Sequence, residues 1–461
     1  MADKETSIYG GPTKRFFVSM LTRDIELDDA ILDLIDNCVD GAMRASPGKV
    51  GSPEPFKGYR ADLTIEKNSF QIRDNCGGIP PDYIEDAFSL GRPSIEKDGD
   101  LPTIGMYGIG MKRAIFKIGK NATVTSIHKD ARVSVDYSDS WLNPENNDWD
   151  LPLRDVLISA QKPGVTITCH KLKDDIKGHL TSDHFLNSLS EKVSEHFGYI
   201  MQKGFEIYIN NQKLKPTTLP LLASRGKGGI QPFDYVAKIG DVHVKVTIGF
   251  FRPLVQEREI EEETDRPTGR ERAGISVVCN DRIVLLHDRT LVTGWGEGGV
   301  PRYHPQFRAI AGLVVLMSNN AEHLPISTTK RGLDVGSEVY LKVRQACVEG
   351  IKVFTDFTNK WKGIEKDASE FFETAERKDA KTQVRLAADR GVAVRGMAGA
   401  KKFKPTLPTP ETRSKRRRIS FMKDLEEIDR VSIHLFKEKG QPPSVVGERC
   451  FDRILKESSD V

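Results

Sequence analysis

Between Glu26 and Arg44 the apolar residues Leu27, Ala30, Ile31, Leu34, Ile35, Cys38 and Ala42 recur with the spacing of one helix face. The opposite face carries Asp29, Asp33, Asp36, Asn37 and Asp40. The pattern then changes period. In LTIEKNSFQIRD, residues 63–74, Leu63/Ile65 and Phe70/Ile72 alternate across a polar turn, which predicts a β-hairpin. Residues 1–185 mix such helical and strand patterns. From 186 to about 335 strands dominate: FEIYINNQKL turns at Asn210-Asn211, VHVKVTIGF alternates strictly, and GISVVCNDRIVLL predicts a hairpin around Asn280-Asp281. Residues 336–395 read as helical and highly charged. The prolines and like charges of KKFKPTLPTPETRSKRRRIS predict a solvated linker over 396–420. Two short helices separated by Gly440-Gln441-Pro442-Pro443 follow in 421–461.

Composition narrows the class. With 461 residues, 38% hydrophobic and 29% charged, the chain has ample material for folded domains and is not a disordered polymer. Its longest apolar run, IAGLVVLM at 310–317, is far too short to span a bilayer, so no membrane association is expected. The polar N-terminus has no apolar stretch of the kind that directs secretion. The six cysteines are scattered without any C-x-x-C pair, which argues against a disulfide framework or zinc ribbon and for a cytoplasmic location. Net charge is only +3, but residues 395–420 hold nine Lys/Arg against one acidic residue, so the rest of the chain is mildly acidic. One local basic segment is therefore the candidate nucleic-acid handle.

Four segments carry candidate chemistry. Asp33 and Asn37 are four apart on one helix face, and an amide oxygen beside carboxylates suits a hard cation bound to phosphates. An amphipathic helix with a solvated acidic face has the same pattern. In RDNCGGIP, Asp74 ends a strand and is followed by Gly77 and Gly78, which place a carboxylate beside closely approachable backbone; a plain turn is the alternative. In TIGMYGIGMKRAIFKIG, Gly105, Gly108 and Gly110 open a helix with Lys112, offering free N–H groups to phosphate. The string fits neither the dinucleotide-binding nor the Walker A spacing. Finally, LPISTTKRGLD puts Lys330 in a polar loop after an apolar strand, where a phosphate contact and a surface turn are both open readings.

Taken in order, DLIDNCVDGA, RDNCGGIP, IGMYGIGMKRA and LPISTTKRGL resemble the N box, the two glycine boxes and the distant lysine loop of the GHKL ATPase superfamily. Its members include DNA gyrase, MutL, the ninety-kilodalton heat-shock chaperone, histidine kinases and the MORC ATPases, and the rhythm here is closest to the MORC, MutL and chaperone groups. The resemblance covers about 20–335. It implies an α/β (α+β two-layer sandwich) fold. A Bergerat-type ATP-binding domain would occupy 1–185 and a β-rich transducer 186–345, followed by a charged helical region at 346–395, the basic linker at 396–420 and a helical module at 421–461.

The resemblance also implies roles. Asn37 would hold Mg2+ against the phosphates of ATP, Asp74 would receive the adenine amine, and Gly78 would shape that pocket. Gly105, Gly108, Gly110 and Lys112 would form the end of a lid at 89–110 and contact phosphate. Lys330 would sense the γ-phosphate. Asp33 stands where the family has a water-activating glutamate, one methylene shorter, with Asp36 as the alternative base. Cys76 replaces a family glycine, and Thr166 in PGVTITC is the substitute for a threonine usually preceded by glycine. The expected activity is a slow ATPase working as an ATP-closed homodimer, with an N-terminal arm at 1–20 crossing to the partner and DNA gripped through 396–420. A chaperone-like clamp on protein and a non-hydrolysing ATP sensor are the competing readings.

Overall fold

The computed structural model describes residues 13–459 apart from 24, 47–51, 53, 90, 92–100, 102, 104, 106–107, 144, 147, 157–161, 225–227, 257–258, 260–271, 328–329, 331, 396–398, 411–418 and 420. The tip of the expected N-terminal arm (1–12), most of the expected lid (92–100) and the most basic run of the expected linker (411–418) lie outside the described residues. The chain divides into two compact units. One comprises Met1–Thr217 with Cys279–Ile283 and Met317–Leu324, and the other Thr218–Val278, Val284–Leu316 and Pro325–Val461.

The first unit is a two-layer α/β sandwich. Its sheet runs in the order β5-β4-β3-β6-β2-β1-β7-β8. The strands are β1 (Arg60–Ile65), β2 (Phe70–Asp74), β3 (Gly119–Ile127), β4 (Arg132–Tyr137), β5 (Leu153–Asp155), β6 (Gly164–Leu172), β7 (Glu206–Ile209) and β8 (Gln212–Lys213). All neighbours are antiparallel except β1 and β7, which run parallel. The expected hairpin at 63–74 is β1–β2, and Asn210 and Asn211 take the left-handed angles that close β7–β8.

Period-two alternation explains why one face of this sheet takes helices. Leu63, Ile72, Ile167, Val124 and Val135 form one buried row across five strands. The other face is polar, with Gln71 donating to Thr168 at 3.0 Å and Thr123 to Asp136 at 2.9 Å. The helices are α1 (Lys14–Arg23), α2 (Leu27–Ala45), α3 (Ile84–Phe88), α4 (Gly110–Ile118), α5 (Asp139–Leu142), α6 (Asp174–Leu180), α7 (Asp183–His196) and α8 (Gly198–Met201). Helix α2 packs against α4 and β1. Asp28 and Asp29 in its first turn and Arg44 in its last complement the helix dipole. Lys14, fully buried, anchors α1 by donating to the Trp141 carbonyl at 2.9 Å while its ammonium lies 3.9 Å from the Trp141 ring centre.

The second unit is built on a seven-stranded sheet of order β13-β12-β14-β11-β10-β17-β16, with a separate pair of β15 and β9. Its strands are β9 (Leu221–Ser224), β10 (Phe233–Ile239), β11 (Val242–Phe250), β12 (Gly274–Cys279), β13 (Arg282–Asp288), β14 (Ile310–Met317), β15 (Ala375–Lys378), β16 (Val392–Ala393) and β17 (Lys401–Phe403). The long helix Glu338–Lys360 lies on this sheet; Gly350 permits the contact, since a Cβ there would fall 2.7 Å from Ile248 and 2.8 Å from Phe233. Phe250 meets Phe354 edge-on at 5.0 Å.

Three parts of this unit differ from the sequence expectation. Val392–Ala393, inside the region read as helical, is a strand paired with Lys402–Lys401. Residues 375–378, inside the region read as helical, form a strand on β9, and Lys401–Phe403, read as linker, pairs with Val236–Asp234 of β10. The pairings with β9 and β10 are short and their partners lie over a hundred residues away, so local composition carries no trace of them. The helical hairpin Leu425–Phe436 and Pro443–Ser459 is as expected. Among the described residues no helix is long and apolar enough to cross a membrane.

Candidate functional site

Asp74 is the last residue of β2, and its carboxylate is almost fully buried. Its Oδ1 accepts from the backbone N–H of Cys76 at 2.7 Å and of Val165 at 3.2 Å. Burial raises its pKa to about 6, against the lowering pull of those N–H groups and of hydrogen bonds to the Cys38 and Cys76 thiols. Glycines make this approach possible. A Cβ on Gly164 would stand 2.1 Å from the Asp74 carbonyl oxygen, so β6 reaches Asp74 only because that position is bare. Gly78 has φ +74, and a Cβ there would fall 2.2 Å from the Ile127 carbonyl oxygen. The next residue, Ile79, donates its N–H to Ser126 Oγ at 2.8 Å.

The cysteine at 76 has a structural counterpart. It is buried, and its Cβ would sit 3.1 Å from a Cβ on Gly41 of α2. The side chain gained at position 76 thus occupies space left by a glycine on the facing helix. Cys38, Cys76, Cys169, Cys279 and Cys347 are all buried free thiols.

Thr166 is not brought to this group. It stands opposite Arg73 and Thr125 in the ladder, whereas Val165 stands opposite Ser126. Directly paired residues share a face and successive residues alternate, so Thr166 projects from the side of the sheet away from Asp74. The residues of this stretch that meet Asp74 are Gly164 and Val165. The sequence signal was the Gly-Val step itself.

Helix α2 carries the second group of candidate residues. From Ile31 to Asp40 every residue is buried except Asn37, which is exposed. The acidic face is therefore not a solvated one, because its carboxylates are taken up by partners. Asp33 is ion-paired with Arg113 of α4. Asp36, fully buried, pairs with Arg282 Nε at 2.8 Å. Asp40 Oδ2 accepts from the Gly105 N–H at 2.9 Å. Arg113 and Arg282 were not foreseen, since nothing in local spacing links them to α2.

The third group lies at the start of α4. Gly110 is its first residue, and a Cβ there would lie 3.3 Å from the Asp33 Cβ, so the glycine lets the helix start approach α2. Gly108 has φ +64. Lys112 is buried, and its ammonium donates to the Gly108 carbonyl at 2.7 Å. Thus Asp33, Asn37, Asp74, Gly78, Gly105, Gly108, Gly110 and Lys112 all lie on connected elements of the first unit. Lys330 belongs to the second unit, buried in a turn where its N–H donates to the Ser327 carbonyl at 2.8 Å and its φ is +56.

The donor set bears on a metal. Among the described residues no three His, Cys, Asp or Glu side chains converge as a metal site. The hard oxygen donor left exposed on α2 is the Asn37 amide, which fits a magnesium ion carried mainly by nucleotide phosphates. No curated protein is significantly similar to the chain. A family model does match, that of the Histidine kinase-, DNA gyrase B-, and HSP90-like ATPases, over residues 25–159. That stretch holds the acidic helix, the Asp74 turn and the glycine-opened helix in the expected order, and residues 25–159 are a GHKL-type ATPase domain.

Proposed function

We propose that the chain is an ATP-operated clamp that closes as a homodimer, hydrolyses ATP slowly with Mg2+ and acts on DNA. The exposed Asn37 amide on an otherwise buried stretch of α2 is the observation that carries the reading. The adenine amine would donate to Asp74, with Gly78 lining the base. The phosphates would meet the glycine backbone around Gly105, Gly108 and Gly110, with Lys112 beneath them. Mg2+, where bound, would neutralise phosphate charge, with Asn37 as its protein ligand. Lys330 would report the γ-phosphate, and the DNA contact would come from 396–420.

Slow turnover is supported by Asp33, whose carboxylate is one methylene shorter than the family glutamate and already holds Arg113. The same pair favours the second reading, an ATP sensor that binds without hydrolysis. One experiment separates them: nucleotide binding and ATP hydrolysis, with and without duplex DNA, over a salt series. The clamp requires a hydrolysis rate that DNA raises at low salt and that falls steeply as salt increases. Binding without turnover selects the sensor, and no nucleotide binding removes both readings.

A further inference from the structure

The first unit contains a buried cluster that no role above has absorbed. It is the tip between β12 and β13, Cys279–Ile283. Asn280 and Asp281 occupy the two left-handed positions of the turn, with φ +44 and +69. Asn280 is fully buried, and its amide is engaged on both sides. Nδ2 donates to the Thr103 carbonyl at 3.0 Å and the Ser318 carbonyl at 2.9 Å, while Oδ1 accepts from the Ser318 N–H at 3.0 Å. Asp281 accepts from Lys203 at 2.6 and 2.8 Å. Arg282 pairs with Asp36 and lies over the Phe197 ring with its guanidinium carbon 4.3 Å from the ring centre. Beside it, His196 Nδ1 lies 2.8 Å from the Ile283 carbonyl oxygen.

We infer that this tip is a positioning element for the phosphate end of the nucleotide site, with Asn280 setting the glycine loop and Arg282 setting the Asn37 helix. The inference rests on the ATP reading given above. Thr103, held by Asn280, is two residues before Gly105, whose N–H is held by Asp40. Asp36, held by Arg282, immediately precedes Asn37. One rigid turn therefore fixes the distance between the loop and the amide that would share a triphosphate. A buried Arg–carboxylate pair adds little net stability compared with packed apolar groups, so its use here is geometric registration. Adenine recognition at Asp74 uses none of these contacts. The tip should consequently matter for the phosphates and not for the base.

Asn280→Gly tests this without straining the turn, because glycine adopts the same left-handed angle. Hydrogen exchange at the Thr103 and Gly105 amides in nucleotide-free protein should accelerate, affinity for ATP with Mg2+ should fall about tenfold, the scale of one lost buried hydrogen bond, and affinity for adenosine should stay unchanged. Equal weakening of both ligands, or no weakening of ATP, overturns the inference. The single Arg282→Ala variant would take the arginine away from a fully buried carboxylate, so the Arg282 arm uses Asp36→Leu with Arg282→Met, which removes the ion pair without leaving a charge buried. This double variant should keep its thermal midpoint yet lose preference for ATP over adenosine; a retained preference refutes the role given to Arg282. If wild-type protein binds neither ligand, the ATP reading itself fails. Unchanged exchange at the Thr103 and Gly105 amides in Asn280→Gly would then dismiss the tip independently.

Discussion

Replacing Asp74 by Asn should stabilise the protein and disable it at once. Burial lifts the Asp74 pKa from an ordinary 3.8 to about 6, so the folded state holds this proton more tightly than the unfolded chain does. The sign follows from linkage. The protonated form favours folding, its contribution is fully present below about pH 4, and it is lost as pH rises through about 6. The difference between 3.8 and about 6 corresponds to about 3 kcal/mol of stability forgone at neutral pH. Asn carries no charge to bury, and its Oδ1 can still accept from the Cys76 and Val165 N–H groups. Urea unfolding of the full chain at pH 4.5, 5.5, 6.5 and 7.5 should show wild-type stability declining across that range relative to Asp74→Asn. The variant should gain a large part of the 3 kcal/mol at pH 7.5. Its Nδ2 would present a donor to the adenine amine, also a donor, so ATP affinity should drop about a hundredfold. Wild-type ATP affinity, which needs the carboxylate, should climb as pH rises through about 6. An Asn variant that is less stable than wild type at pH 7.5, or that binds ATP undiminished, would refute the reasoning.

Three other outcomes follow from contacts already described. Gly41→Ala should cost about 1–3 kcal/mol by overpacking against Cys76, and adding Cys76→Gly should recover part of it in a double-mutant cycle of unfolding free energies, the Cys76 carbonyl oxygen remaining 3.2 Å from the new Cβ; additivity would refute the compensation. Arg113→Ala should destabilise by about 3–5 kcal/mol by taking the cation away from the buried Asp33 carboxylate, whereas the neutral pair Asp33→Asn with Arg113→Gln should cost much less by the same measurement. Asn37→Ala should leave urea stability within about 0.5 kcal/mol, because the residue is exposed, while abolishing magnesium-dependent hydrolysis; residual magnesium-dependent turnover would remove the metal role.

Whatever depends on local period was legible before any coordinates. The hairpins at 63–74 and 280–281, the helix 27–45 and the strand 242–250 all announce themselves through alternation or a left-handed Asn/Asp turn. Asp74 and Gly78 could likewise be picked out, because a carboxylate at a strand end followed by a glycine pair is a local arrangement. What local pattern could not carry was strand phase. Thr166 and Val165 are adjacent in sequence and differ only in which side of β6 they face, a matter decided by register against β2 and β3. A threonine chosen by residue type alone had an even chance of facing the wrong way.

The acidic helix shows the deeper limit, and it sharpens the functional argument. Four carboxylates and an amide on α2 read either as a metal-binding wall or as a solvated face, and the helical wheel cannot choose. The choice depends on what engages each carboxylate, and the partners are Arg113, Arg282 and the Gly105 N–H, up to 246 residues away along the chain. A buried carboxylate without such a partner would be far too costly to keep ionised. With Asp33 and Asp36 ion-paired to arginines and Asp40 hydrogen-bonded to the Gly105 N–H, each of the three is engaged within the protein rather than offered to a hard cation. What stands open is a neutral amide, too weak to hold a divalent ion unaided. A cation there must arrive with its own anionic ligands, and a nucleotide triphosphate supplies them. The same bookkeeping therefore predicts that Mg2+ alone should bind the nucleotide-free protein no better than a surface carboxylate would, and that affinity should appear only with ATP. Calorimetry of Mg2+ with and without ATP decides it: tight binding of the bare ion would mean that one of the three carboxylates is free to act as a ligand, and the division of labour argued for α2 would be wrong.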